Sequence, residues 1–396
     1  MPCNDARRDA PVPVPGTPQD FSNPSGIGRR GSMNDRTSDN QDAGGPVRRV
    51  GVLTGGGDAP GLNAVIRAIV HRAGGLGMEV VGLRRGWAAL VEGDESVPLG
   101  PRDVEDIHVT GGTILGTSRT NPYAVEGGPA RVVENIGRLG IDALIAIGGE
   151  DTLGVASRLV DEGVRIVGVP KTIDNDLNAT DYTFGFDTAC NRAAEALRNL
   201  HTTARSHSRV MVVEIMGRHA GWITLYAGIA GAAHVVLLPE VPFTLDEICR
   251  VVRERESAGL TYTIIAVSEG AKPVEEDDLV LQTEERDAFG HVRLGGIAQR
   301  LARRIAELMG KECRHVVLGH LQRAGAPSAF DVVLGTRLGI KAAEMVHEGR
   351  FGMMASVSGL EIVAVPLEDA VGTLKTVPGH LREESRLFWA PTADEG

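Results

Sequence analysis

The sequence predicts an α/β protein of two domains, each a mainly parallel sheet flanked by helices. Three observations predict it. Short apolar runs recur along the chain from residue 48 onward, and helical patterns separate most of them, so successive strands must be joined by right-handed crossovers. The length of 396 residues leaves room for two substantial cores.

In chain order, residues 50–54 read as the first strand and Gly55-Gly56-Gly57-Asp58-Ala59-Pro60-Gly61 as a turn. A helix over 62–73 follows, stopped by Gly74-Gly75. Further strands are expected at 79–83, 141–147, 164–169, 209–215, 234–238, 261–267 and 315–318. The runs at 141–147 and 164–169 are dominated by apolar residues, as strands buried on both faces are. Residues 222–238 carry no charge except a possible one at His234, but they are short for a bilayer span and Gly228 and Gly231 interrupt them. They read as a buried helix followed by a core strand. Residues 270–294 are polar and turn-rich, the pattern of a surface excursion. Residues 1–46 are rich in Pro, Gly, Ser, Asp, Asn and Arg without apolar periodicity, which predicts a disordered N-terminal extension. They contain no apolar centre of a secretory signal.

Composition excludes several classes. A formal net charge of -11 argues against general nucleic-acid binding, because no basic excess exists to displace counterions. Cys3, Cys190, Cys249 and Cys313 form no CxxC pair or Cys/His ligand cluster, which predicts free thiols in a reducing, cytoplasmic setting. No membrane association is expected.

The chemistry concentrates behind two strands. Glu150 and Asp151 follow 141–147, while Lys171, Asp174 and Asp176 follow 164–169. The carboxyl edge of an open α/β sheet is where ligands bind. Four acids with a lysine among them suit a metal and phosphate site better than a dinucleotide pocket. Asp174-Asn175-Asp176 is also ordinary turn chemistry, and the alternative remains open on these residues alone. The loop containing Gly56 and Gly57 lets backbone approach a phosphate, with a helix N-terminus behind it, although a ligand-free tight turn would look the same. It lacks the GxGxxG fingerprint, which counts against a dinucleotide-dependent oxidoreductase.

Seven segments in order carry a resemblance. They are Gly55-Gly56-Gly57-Asp58-Ala59-Pro60-Gly61-Leu62-Asn63, Gly111-Gly112-Thr113-Ile114-Leu115-Gly116-Thr117-Ser118-Arg119, Gly148-Gly149-Glu150-Asp151-Thr152 and Pro170-Lys171-Thr172-Ile173-Asp174-Asn175-Asp176. Met216-Gly217-Arg218, Ser268-Glu269-Gly270 and Leu318-Gly319-His320-Leu321-Gln322-Arg323-Ala324-Gly325 complete the series. From residue 48 to about 374 the chain resembles the phosphofructokinase family, whose members use ATP or pyrophosphate.

The resemblance implies transfer of a phosphoryl group to the 1-hydroxyl of fructose 6-phosphate, with Mg²⁺. It implies Asp174 as the base, Thr172 and Asp176 as positioning groups, and Arg119 and Arg218 as the cations that stabilise spreading charge. By the same resemblance Arg209, Arg314, His320 and Arg323 hold the sugar phosphate, with Met216, Gly217 and Glu269 completing the pocket. Residues matching Arg209 and Arg314 reach into the adjacent subunit's site in the family, so a homodimer or homotetramer is implied. A donor domain of 47–185 plus 322–373 and a sugar-phosphate domain of 186–321 plus 374–396 are expected. Glu150, where the family motif has aspartate, is the expected metal-associated acid.

Two positions bear on the donor. The ATP-using bacterial form has glycine at the sites matching Asp151 and Lys171. An Asp151 carboxylate about 4 Å from a nucleotide α-phosphate would cost roughly 1 to 4 kcal/mol per charge pair. Lys171 adds a cation suited to a short donor. Pyrophosphate is therefore expected, with ATP the close alternative. His71 and His201 replace arginines of the family's effector site while Arg67 matches one, so effector control is not predicted.

Overall fold

The computed structural model describes residues 45–93, 96–274, 295–387 and 389. The expected extension, apart from its last two residues, and most of the 270–294 excursion lie outside the described residues. Five strands come first: β1 (Arg49–Thr54), β2 (Glu79–Leu83), β3 (Ser96–Leu99), β4 (Ala143–Gly148) and β5 (Ile166–Pro170). A second group follows, β6 (Val210–Ile215), β7 (Val235–Leu237), β8 (Thr263–Ser268) and β9 (Cys313–Val317), and then β10 (Met353–Ser358) and β11 (Glu361–Pro366). Between them run α1 (Leu62–Gly75), α2 (Ala88–Glu92), α3 (Gly128–Arg138), α4 (Glu150–Asp161), α5 (Phe186–Ser206), α6 (Trp222–Ala230), α7 (Leu245–Ser257), α8 (Ile297–Met309), α9 (Ala329–His347), α10 (Leu367–Ala370) and α11 (Gly379–Arg386).

The strands form two sheets, ordered β11-β10-β5-β4-β1-β2-β3 and β7-β8-β6-β9. All pairings are parallel except β2 with β3 and β10 with β11 at the edges of the larger sheet. Side chains alternate across each strand, and the cores follow that period. Ile145 and Ile147 of β4 pack with α1 and α9, whereas Leu144 and Ala146 pack with α4 on the opposite face. In the smaller sheet, Val213 and Ile215 meet α5 and α6, and Val210 and Val212 meet α7 and α8. Burial of both faces explains the apolar runs that marked these strands.

Strand order reverses at β1, whose neighbours are β2 and β4. A crevice opens at such a switch point outside the carboxyl ends of the strands. The stretch at 222–238 is α6 followed by β7, and among the described residues no helix is long and apolar enough to cross a membrane. The sequence reading needs correction at one helix end, because α1 runs through Gly74 and Gly75. It also omitted β3, β10 and β11. The last two pair as a hairpin, Ser358 opposite Glu361, with Gly359 at φ 58 leading its two-residue turn.

Candidate active site

Three loops at the carboxyl edge of the larger sheet form one wall. The first leaves β1: Gly55 N–H donates to Ile147 O of β4 at 3.0 Å, and Gly56 N–H donates to Ser118 O at 3.1 Å. Thr117 Oγ1 returns a bond to Gly56 O at 2.6 Å. The glycine loop is thus pinned between β4 and the segment ending in Arg119, whose side chain is exposed. Gly56 sits at φ 77, where a side chain would be strained. The second loop is short, for β4 ends at Gly148 and α4 starts at Glu150. Glu150 and Asp151 occupy its first turn, where free N–H groups and the helix dipole favour negative charge.

The third loop leaves β5. Lys171, only 3% exposed, donates from its N–H to Gly148 O at 2.9 Å and from Nζ to Gly57 O at 2.5 Å. Its cation therefore lies inside the glycine loop. Asp174 N–H donates to Thr172 Oγ1 at 3.1 Å, and Asn175 bends the chain at φ 51. Asn175 Oδ1 accepts from Thr183 N–H at 3.1 Å and from Lys375 Nζ at 3.0 Å. Asp174 Oδ1 is sealed from solvent and has no hydrogen-bond partner.

The opposite wall comes from the carboxyl ends of β6, β8 and β9. Met216 N–H donates to Gln322 Oε1 at 3.3 Å, and Ser268 Oγ donates to Gly217 O at 2.8 Å. Glu269 follows β8, its N–H bonded to Ile215 O at 2.8 Å. A short 3-10 turn, Gly319–Gln322, presents an exposed His320 and leads into Arg323. The Arg323 guanidinium crosses the cleft and donates to Asp58 O at 3.0 Å.

Electrostatics gather these groups into one cluster. Burial pushes the Asp174 carboxyl up to about 6, assisted by neighbouring Asp176 and opposed by Arg323, Arg218 and Lys171. Burial also raises Asp176. Glu269 is pushed up to about 7 by burial and by Asp174, with Arg218 opposing. Lys171 moves down to about 7 through burial and the Arg323 charge, with Asp58, Asp174 and Asp176 opposing. Perturbed acids and bases in a cleft mark a functional site.

Most of the expected residues therefore converge, but Arg209 and Arg314 do not. Arg209 immediately precedes β6 and Arg314 is the second residue of β9, so both lie at the amino ends of the strands. The length of β6 separates them from the cleft by roughly 20 Å. Both guanidinium groups pair with Glu312, at 3.1 and 2.6 Å. Sequence reasoning gave no role to Asp58, Gln322 or Lys375. Asp58 and Gln322 lie inside motifs given above, whereas Lys375 is a single lysine with no pattern around it.

Among the described residues no group of three or more His, Cys, Asp or Glu is placed to ligate a metal. The acids present still fit Mg²⁺ accompanying a phosphate ligand, since that ion often takes one or two protein carboxylates and completes its shell with water and phosphate oxygens. Glu150, in the first turn of α4, would supply a protein oxygen for such an ion.

A crevice between two mainly parallel sheets, with a glycine loop, a helix N-terminus and a buried acid–base cluster, defines an α/β phosphate-handling protein. The chain belongs to the phosphofructokinase family, whose model matches residues 49–346. It is 57% identical over 342 residues to pyrophosphate–fructose 6-phosphate 1-phosphotransferase of Amycolatopsis methanolica, covering 86% of this chain and 99% of that one. It is also 52% identical to ATP-dependent 6-phosphofructokinase 3 of Streptomyces coelicolor, over 83% of this chain and 96% of that one. The fold matches a crystal structure of pyrophosphate-dependent phosphofructokinase from Marinobacter aquaeolei with a TM-score of 0.72, at 24% identity over 87% of this chain and 92% of that one.

Proposed function

We propose that the chain transfers a phosphoryl group reversibly from pyrophosphate to the 1-hydroxyl of fructose 6-phosphate, giving fructose 1,6-bisphosphate and phosphate. Three relatives at 54–57% identity are named pyrophosphate–fructose 6-phosphate 1-phosphotransferase, which supports this reading. The observation that carries the donor assignment is the pair Asp151 and Lys171. Asp151 stands in the first turn of α4, and Lys171 places its ammonium against the Gly57 carbonyl, so the donor wall is both bulky and charged.

Asp174, once ionised, accepts the proton of the sugar's 1-hydroxyl through its unpartnered Oδ1. That hydroxyl oxygen then forms a bond to the nearer phosphorus, the bridging P–O bond breaks, and its electron pair leaves with inorganic phosphate. Arg119, Arg218 and Lys171 balance the charge that spreads over the transferring group. Thr172 and Asp176 hold the turn that aims the base. Glu150 would hold Mg²⁺, which when bound neutralises diphosphate charge. Arg323, His320 and Glu269, with Met216 and Gly217, form the sugar-phosphate side.

The larger sheet, within 47–185 plus 322–373, is assigned to the donor; the smaller, within 186–321 plus 374–396, to the sugar phosphate. By the family resemblance Arg209 and Arg314 are assigned to a partner subunit's site, a reading that their place at the far end of their strands supports. The test measures fructose 1,6-bisphosphate formation with pyrophosphate and with ATP in parallel. A higher kcat/KM with pyrophosphate supports the assignment; a higher one with ATP transfers it to the ATP-dependent reaction.

A further inference from the structure

One side chain outside every quoted motif grips the turn that carries the base. Lys375 N–H donates to Asp176 O at 2.8 Å. Its Nζ donates to Asn175 Oδ1 at 3.0 Å, Thr180 O at 2.8 Å and Asp181 O at 3.0 Å. Three acceptors use all three protons of an ammonium. The other end of the residue is anchored to the opposite wall, where Lys375 O accepts from Trp222 Nε1 at 2.8 Å and the ammonium lies 5.7 Å from the Trp222 ring centroid. Two residues on, Val377 N–H donates to Glu240 Oε1 at 3.0 Å. Lys375 therefore bridges the loop after β5 and the N-terminus of α6.

Asn175 is the residue whose backbone needs this grip. It is buried at φ 51, a left-handed bend uncommon for a residue with a side chain, and its amide oxygen is held by Thr183 and Lys375. The two acids of the site flank it in sequence. We propose that Lys375 is a positioning residue for phosphoryl transfer, its ammonium holding Asn175 in the bend that sets Asp174 and Asp176 against the cleft. This rests on the reading of Asp174 as the base.

Charge gives the role a signature that packing alone would not. Asp176 faces Asp174 on its own turn, His219 from the loop after β6, and Lys375. Hydrogen bonds from its own backbone N–H and from the Thr172 hydroxyl, then the charges of His219 and Lys375, lower the Asp176 carboxyl against the effect of burial, and Asp181 is the other acid facing Lys375. Removing the Lys375 charge lets Asp176 retain its proton to higher pH, and Asp174 titrates with it.

The test uses the full chain and measures kcat, both KM values, the pH profile of kcat and the melting temperature for wild type, Lys375→Met, Lys375→Arg and Asp174→Ser. Lys375→Met should lower kcat on the order of tenfold to a hundredfold and move the acid limb of kcat to higher pH. Its KM for pyrophosphate should stay within about twofold of wild type. Lys375→Arg keeps the charge without the three-way geometry, so it should retain the wild-type limb with a partial loss of kcat. If Lys375→Met does not fold, Lys375→Arg decides: a reduced kcat at an unchanged melting temperature supports the proposal, and wild-type kcat overturns it. A folded Lys375→Met with wild-type kcat, or with a lower melting temperature and an unmoved acid limb, also overturns it. Wild-type turnover in Asp174→Ser is a separate failure, that of the base assignment.

Discussion

A carboxyl group raised toward neutrality is the residue-scale feature on which the proposed catalysis rests. Asp174 is pushed up to about 6, chiefly by burial, so it is ionised and basic at neutral pH yet close to the range where proton transfer is efficient. Asp174→Ser should lower kcat by roughly 10² to 10⁴ while the KM for fructose 6-phosphate changes much less; steady-state kinetics check this, and an unchanged kcat removes Asp174 as the base. The direction of pH dependence follows from two groups. Below about 6 the Asp174 carboxyl takes up a proton and cannot accept another. Above about 7 Lys171 loses its charge and with it attraction for an anionic donor. The kcat/KM profile for pyrophosphate should therefore be bell-shaped, and Lys171→Met should abolish the alkaline limb. A flat profile in wild type contradicts this. These acids and the lysine were legible in sequence because they sit within dense motifs. Lys375 was not, because its role arises from contacts about 200 residues distant, with Asn175, Thr180 and Asp181.

At the scale of elements, hydrophobic patterning revealed the central strands because β1, β4, β5, β6 and β8 are buried along nearly their whole length. The two edge strands of the larger sheet escaped it. β3 has four residues and is partly exposed, and β11 is buried at no position, so neither gives a continuous apolar run. The helix junctions were equally hidden. Asp331, 0% exposed, lies in the first turn of α9 but caps α5, accepting from Gly185 N–H at 2.9 Å, Thr188 N–H at 2.8 Å and Thr188 Oγ1 at 2.5 Å. Asp331→Ala would leave those donors buried and unpaired. We expect a loss of about 2 to 4 kcal/mol in a urea unfolding titration; a change under about 0.5 kcal/mol would show that the cap is dispensable.

For the whole molecule, two sheets meet so that six strands direct their carboxyl ends toward one cleft, while Arg209 and Arg314 stand at the other end. Partner use of Arg314 predicts complementation. Arg314→Ala and Asp174→Ser chains should each be nearly inactive, yet mixed dimers should contain one intact site of two, or about a quarter of wild-type activity after random assortment. Mixtures no more active than their parents would contradict subunit sharing. Donor choice is the central claim, and it is tested most directly by the ratio of kcat/KM for pyrophosphate to kcat/KM for ATP, measured in wild type and in Asp151→Gly. Wild type should favour pyrophosphate, and Asp151→Gly should improve ATP use by roughly fivefold to nearly a thousandfold, as removal of 1 to 4 kcal/mol of charge repulsion allows. A wild-type preference for ATP, unaltered by the substitution, would contradict the account.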